Sequence, residues 1–353
     1  MDIPHGGIES QVMGSELIAR LPTPPPDKSG WPWTEETPPL PEKMPDGRPW
    51  PRISIVTPSF NQGQFIEETI RSVLLQGYPN LEYIIIDGGS KDESVEIIRK
   101  YEPWLTYWVS EPDRGQSHAI NKGLAHCTGE VFNWINSDDM LFPHALREVA
   151  VAWSTRPDAI IAGSLETINP DGTRKTVHQR NIALQNFLDK EERRRSGMQW
   201  NQPASFLPLR WVRRVGGVNE GLRFTMDGFL MMALLEHCEI QYVPKVLSCF
   251  RLHSASKSML NSAEFPLEVA RMMDSDEFKH RLPPDRARQW RVHALLDAAE
   301  LSHWNDRHMA AIRYALRAVS LSVGETLREF ARRRVLARSL LWLMAGIKRL
   351  MRR

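Results

Sequence analysis

The chain has 353 residues, 42% of them apolar and 25% charged, with a net charge of +2. This is enough for one large globular domain with attachments or two modest ones, and it argues against strong affinity of the whole molecule for nucleic acid. The three cysteines, Cys127, Cys238 and Cys249, form no CxxC pair. That argues against a disulfide framework or a thiolate zinc site and predicts a reducing compartment. There is no basic start followed by an apolar run, so no signal peptide is expected. There is also no stretch of about 18 apolar residues that would predict a conventional membrane span.

Residues 1–50 are proline-rich, with Pro22, Pro24, Pro25, Pro26, Pro38, Pro39 and Pro41 among others. Proline fixes φ and removes a donor, so regular structure is not expected here. Trp31 and Trp33 turn the expectation from a disordered leader towards an extended arm pinned to a domain surface. At Pro51 the pattern changes. Ile53–Val56 predicts a strand, and Phe65, Ile66, Thr69, Ile70, Val73 and Leu74 then recur with helical period. Further strands are expected over Leu81–Ile86, Thr106–Val109 and Val131–Ile135. Helical segments separate them, including His118–Ala125, and another opens at Pro143 and runs to about Trp153. Strands and helices alternating in this way predict an α/β fold, a mostly parallel sheet flanked by helices.

Residues 157–260 mix short strands and helices. Asn169-Pro170-Asp171-Gly172 predicts a hairpin turn, and Phe229–His237 predicts a helix. From about 265 the chain is helical to residue 353, with Leu295, Ala298, Ala299, Leu301, Trp304, Ala311, Tyr314, Ala315 and Ala318 expected to pack helix on helix. Its last segment, from Glu325 on, carries nine basic residues against Glu325 and Glu329, a net of +7, around the apolar run Leu340–Ile347. A basic amphipathic helix over 326–353 suits an anionic membrane surface, against the alternative of a packed terminal helix with a solvated basic face.

Ligands of an open parallel sheet bind beyond the carboxyl ends of its strands. Ser59, Asp87, Asp113 and the Asn136-Ser137-Asp138-Asp139 turn all fall at such ends. Carboxylates converging there raise one another's pKa, which a divalent cation and a hydrogen-bonding ligand relieve. Alternation along a strand lets adjacent carboxylates bind different things, one a ribose and the other a hard cation such as Mg²⁺ or Mn²⁺. By itself Asp138-Asp139 is equally consistent with a helix cap for the segment that Pro143 opens.

Taken together, several motifs resemble the family 2 glycosyltransferases. They are Ile55-Val56-Thr57-Pro58-Ser59-Phe60-Asn61, Glu82–Asp92, Asp113-Arg114-Gly115 with Ala119, Asn121 and Gly123, and Asn136-Ser137-Asp138-Asp139. The resemblance continues through Gln202–Phe206, Val215-Gly216-Gly217, Met226-Asp227, Phe250–His253 and Ser256-Lys257-Ser258. It implies the glycosyltransferase A fold. A donor half would occupy 51–140, an acceptor half 141–260, and a helical extension 265–353. It further implies a nucleotide-diphospho-sugar donor, with Pro58, Ser59, Asn61, Asp87, Asp113, Gly115, Asn121 and Asp138 about the nucleotide. Pro58 and Ser59 would line the nucleoside pocket, Asp87 would read the base and Asp138 would meet the ribose. Asp139 would hold Mg²⁺ or Mn²⁺, with His253 completing the shell or touching the diphosphate, and Arg251 would neutralise phosphate; a structural role is the alternative for both His253 and Arg251. Asp227 matches the family's general base. Its apolar neighbours Phe224, Met226, Phe229 and Leu230 would raise its pKa towards a useful value, while its alternative is a helix cap. Trp200 and Gln202 are expected near the acceptor. The chain departs from the usual pattern at Phe229 and Met231, where relatives often carry a carboxylate and a tryptophan, and this weakens analogies about the acceptor.

The resulting expectation is a metal-dependent, inverting hexosyltransferase acting on a hydroxyl of a glycan or lipid-linked acceptor in cell-surface polysaccharide or glycolipid synthesis. It would be cytoplasmic, or peripheral at the inner face of the membrane. A non-catalytic nucleotide-sugar-binding scaffold is the alternative. A sugar nucleotidyltransferase would carry a glycine-rich basic loop after the first strand, where this chain has Pro58–Gly63 without a lysine or arginine. A dinucleotide oxidoreductase would need GxGxxG there.

Overall fold

The computed structural model describes residues 17–253, 256, 263–275 and 282–332. The donor half is built from β1 (Ile53–Ser59), α1 (Gly63–Leu74), β2 (Leu81–Asp87), α2 (Ser94–Tyr101), β3 (Tyr107–Ser110), α3 (Gln116–His126) and β4 (Val131–Trp134). After β5 (Met140–Leu141) and α4 (Ala145–Thr155) come β6 (Ile160–Ile168), β7 (Arg174–Val177), α5 (Leu184–Leu188) and α6 (Lys190–Ser196). Then follow β8 (Ser205–Pro208), α7 (Leu209–Arg214), α8 (Met226–Leu234) and β9 (Ile240–Arg251). The described part of the C-terminal extension comprises α9 (Glu264–Met272), α10 (Pro284–Trp304), α11 (His308–Leu321) and α12 (Val323–Arg332).

The strands join in the order β3-β2-β1-β4-β8-β6-β9-β5, with β7 on β6. Pairing is parallel from β3 through β4, as the alternating pattern predicts. It turns antiparallel where β8 joins β4 and β6, where β7 joins β6 and where β5 joins β9, while β6 and β9 run parallel. The sheet is thus parallel in the donor half and mixed beyond it.

Both faces of the donor sheet are covered, because side chains alternate along a strand. Ile53, Ile55, Tyr83 and Ile85 pack on one face with Ile66 and Ile70 of α1, Ile98 of α2 and Leu146 of α4. Val56, Ile84 and Ile86 pack on the other with Ala119 and Ile120 of α3, Val212 of α7 and Leu230 of α8. A third cluster joins Leu267 of α9, Val292, Leu295 and Ala298 of α10 and Ala318 of α11. Trp304, which the sequence pattern puts in this packing, is instead 75% exposed. It is the last residue of α10, beyond the packed stretch.

Residues 17–50 lie along the domain, and α1 holds them there. The Arg71 side chain is fully buried. Its guanidinium donates to the backbone oxygens of Pro22 (2.9 Å), Pro32 (3.0 Å) and Trp33 (2.8 Å) and to the Tyr101 hydroxyl (3.1 Å). The Trp33 ring covers it at 5.5 Å. Trp31 donates to the Leu141 carbonyl, and the Thr37 and Leu40 amides donate to the carbonyls of Leu75 and Gly77.

Candidate functional site

The parallel register places Ser59 beside Asp87 and Asp87 beside Ser110. The donor strands therefore end together, at the floor of a cleft of about 910 Å³. Pro58, Ser59, Phe60, Gln62 and Gly88 line its donor side, with Asp113, Arg114 and Gly115 from the turn before α3 and Asn136, Ser137 and Asp138 from the turn after β4. Trp200, Gln202, Leu222, Phe224, Met226 and Asp227, all from beyond the donor half, line it as well.

Two glycines shape this floor. A Cβ at Gly88 would lie 2.7 Å from an Asp113 carboxylate oxygen, so the close approach of Asp113 needs a glycine there. Gly115 turns into α3 at φ 112, and its amide donates to Asp113 Oδ1 at 2.7 Å. Cleft-lining oxygens are left without partners: the buried Ser59 Oγ and Gln62 Oε1 have none among the described residues. An unpaired buried polar atom carries a desolvation cost, and a polar ligand in the cleft would remove it.

Asp87 sits behind this surface, fully buried. It accepts from the Gly89 and Ser90 amides (3.0 and 2.9 Å) and from the Ser90 and Ser110 hydroxyls (2.5 and 2.7 Å). It holds the turn that presents Gly88. Asn61 and Asn121 also lie off the cleft wall. Asn61 accepts from the Lys91 amide, while Asn121 accepts from the Val218 amide and donates to the Val218 carbonyl and Glu220. Both tie loops together.

The paired carboxylates separate sharply. Neither caps a helix, because α4 begins only at Ala145 and has no side-chain cap. β4 ends at Trp134, and the Asp139 amide closes a turn on the Asn136 carbonyl at 3.0 Å. Asp139 is 1% exposed; it accepts from the Arg251 amide (3.1 Å) and the Asn136 side chain (3.0 Å). Burial, and secondarily the Asp138 charge, push its pKa well above the ordinary carboxylate range. Asp138 faces the cleft, with its Oδ2 3.0 Å from His253 Nε2. The antiparallel β5–β9 register, Met140 opposite Cys249, brings the end of β9 and then His253 alongside Asp138. The expectation gives the cation to Asp139 and the ribose to Asp138; in the structure Asp138, not Asp139, lines the cleft, and Asp138 is the one that bonds His253.

The 3.0 Å between Asp138 Oδ2 and His253 Nε2 is a direct hydrogen bond; a carboxylate and an imidazole are the donor types that would hold Mg²⁺ or Mn²⁺ beside ligand oxygens and water. Among the described residues no group of three or more metal-binding side chains occurs. Arg251, expected at phosphate, is instead paired with Glu68 at 2.8 Å and lies over the Phe65 ring.

Asp227 lies in the first turn of α8 and lines the cleft. The N-cap position is Thr225, so Asp227 is not the cap, and its Oδ1 accepts from the Gly228 amide at 2.7 Å. Gln202 donates to Asn133 and to the Trp134 carbonyl, and Trp200 donates to Ser205, which fixes both on the acceptor side. Two residues of the extension that no sequence motif singles out also belong here. Phe265 lines the cleft against Phe224, and Glu268 lies beneath the loop before α8.

Strand order, flanking helices and a cleft at the parallel strand ends define a glycosyltransferase A fold. Residues 54–215 match the model of the family described as Glycosyl transferase family 2, and this domain of the chain belongs to that family. A protein of Rickettsia felis described as an uncharacterized glycosyltransferase is 27% identical over 229 residues, 61% of this chain and 36% of that protein. One from Mycobacterium tuberculosis, described likewise, is 41% identical over 90 residues, 25% of this chain and 34% of that protein. The chain thus spans about a third of the length of these relatives. Among solved structures, residues 1–349 of S. aureus TarS in complex with UDP-GlcNAc align with a TM-score of 0.56 at 15% identity, over 76% of this chain and 81% of that one. At that identity the likeness is one of fold.

Proposed function

We propose that the chain is an inverting glycosyltransferase that moves a hexosyl group from a nucleotide-diphospho-sugar to a hydroxyl acceptor. The observation that carries this is one cleft lined by Ser59, whose buried hydroxyl has no partner among the described residues, by Asp138, which bonds His253, and by Asp227. Pro58, Ser59, Gly88 and Asp113 bind the nucleoside. Asp138 and His253 would hold Mg²⁺ or Mn²⁺, which when bound would neutralise charge developing on the departing diphosphate. Asp227 accepts the proton of the attacking hydroxyl, and attack from its side of the cleft inverts the anomeric centre. The UDP-GlcNAc complex of TarS makes a uridine or related donor a sensible first probe.

The acceptor class we propose is a glycan or lipid-linked sugar of the cell surface, with the C-terminal segment 326–353 resting on an anionic membrane. The attachment we propose is peripheral; no helix among the described residues is long and apolar enough to cross a membrane. Most of that segment, 333–353, lies outside the described residues.

The test is release of nucleoside diphosphate from a panel of sugar nucleotides with Mn²⁺. Replacing Asp227 with Asn should lower kcat by at least about 10²-fold, the lower range for a general base, with nucleotide affinity unchanged. Binding of sugar nucleotides without turnover of any of them would favour the scaffold alternative.

A further inference from the structure

We infer that Glu268, supplied by the helical extension, is a positioning residue for the proposed base Asp227. The inference rests on the catalytic reading given above. α8 begins without a side-chain cap of its own, and the loop leading into it, Leu222 to Thr225, runs along the cleft. Such a segment leaves successive backbone N–H groups in need of acceptors.

Glu268 takes them. It lies in α9, is 4% exposed, and brings its carboxylate beneath the loop. Oε1 accepts from the Arg223 amide at 2.7 Å. Oε2 accepts from the Phe224 and Thr225 amides at 2.8 and 2.7 Å and from the Thr225 hydroxyl at 2.8 Å. Three consecutive amides and a hydroxyl thus converge on one carboxylate, an arrangement that suits an anion. Asp227 follows two residues later.

The same helix reaches the cleft itself. The Phe265 and Phe224 rings meet at 5.1 Å, and both line the acceptor side. At the other end of the loop, Ser117 of α3 donates to the Leu222 carbonyl at 2.9 Å. The loop is therefore fixed from two directions, by α3 of the donor half and by α9 of the extension. The donor floor does not use Glu268, so a carboxylate in the extension serves the base rather than the nucleotide.

Glu268→Gln isolates the point. It keeps the size of the side chain, but in either amide orientation an NH₂ group faces at least one backbone N–H, donor against donor. The experiment compares wild type and Glu268→Gln in the full chain by three readouts. The first is amide hydrogen exchange at residues 223–225, expected to rise at least tenfold while β1, β2 and β4 keep their wild-type protection. The second is kcat for nucleoside diphosphate release with Mn²⁺ from the best-turned-over sugar nucleotide, expected to fall at least 30-fold. The third is the Kd of the matching nucleoside diphosphate, expected within twofold of wild type. A mere packing role would tolerate Gln, and general destabilisation would weaken nucleotide binding as well. Unchanged exchange at 223–225, or kcat within twofold of wild type, overturns the inference. Wild-type turnover abolished by Asp227→Asn but kept by Glu268→Gln would overturn it alone. Absence of wild-type turnover with every sugar nucleotide would overturn the catalytic reading as well, while the exchange readout still decides the loop clamp.

Discussion

At Asn136-Ser137-Asp138-Asp139 two adjacent carboxylates meet opposite surroundings. Asp139 is enclosed and pushed towards its neutral form, while Asp138 stands at the cleft 3.0 Å from His253. The account therefore gives the two Asn variants different outcomes. Asp138→Asn should abolish the Mn²⁺-dependent part of nucleotide binding and cost at least about 10²-fold in turnover, since it removes stabilisation of the leaving group. Asp139→Asn should keep the Mn²⁺ dependence, because a neutral amide replaces a group already disfavoured as an anion; titration calorimetry with and without Mn²⁺ separates them. This distinction was not legible in the sequence. Side-chain alternation holds within a strand, but β4 ends at Trp134, and the turn at Asn136–Asp139 then sets which carboxylate faces out. Ser59, Asp113 and Asp138, by contrast, could be placed from strand ends and motif together. Asp87, Asn61 and Asn121 fall at the expected loops, where they also make local hydrogen bonds that are invisible in a sequence.

At the scale of elements, β1 to β4 and their helices were readable because apolar runs of strand length alternate with helical periodicity. The mixed half was less so: β5 has two residues, too short for a pattern, and β8 follows Gln202-Pro203-Ala204 without the strand–helix alternation that marks β1 to β4. The arm shows the same limit. Trp31 and Trp33 mark it as something that packs, but its anchor is Arg71, one cation within the helical pattern of α1. Its burial depends on the carbonyls of Pro22, Pro32 and Trp33, distant in the chain. Replacing Arg71 with Met would leave those carbonyls without their donor at about 1–3 kcal/mol each where they stay buried. We predict a loss of at least ~3 kcal/mol in denaturant unfolding, and early proteolytic cleavage between residues 17 and 50. Unchanged stability and an unchanged cleavage pattern would show the arm to be held by its apolar contacts alone.

At the scale of the whole molecule, charge is unevenly placed. Between residues 307 and 332 the only carboxylates are Glu325 and Glu329, and both are buried beside His293. Arg328 and Arg332 pair with these two carboxylates, while the surface of α11 and α12 also shows Arg313 and Arg317 with Met309, Leu316, Val323 and Leu327, each of these apolar residues more than half exposed. A cationic and apolar face of this kind complements anionic lipid, at about 1 kcal/mol for each basic residue near the surface. The proposed membrane contact predicts co-sedimentation with vesicles containing phosphatidylserine and not with phosphatidylcholine alone. Joint replacement of Leu316, Val323 and Leu327 by Glu should lower the bound fraction at least fivefold. Full-length protein remaining in the supernatant with both vesicles would contradict it.

The most direct test of the central claim is the melting temperature of the full chain with uridine, guanosine, adenosine and thymidine diphosphates, each with and without Mn²⁺. Ligand binding to the folded state raises the melting temperature through mass action. The account predicts that at least one nucleoside diphosphate does so, that Mn²⁺ enlarges the rise, and that the enlargement vanishes in Asp138→Asn. No rise with any nucleotide, or a Mn²⁺ effect that Asp138→Asn leaves intact, would contradict it.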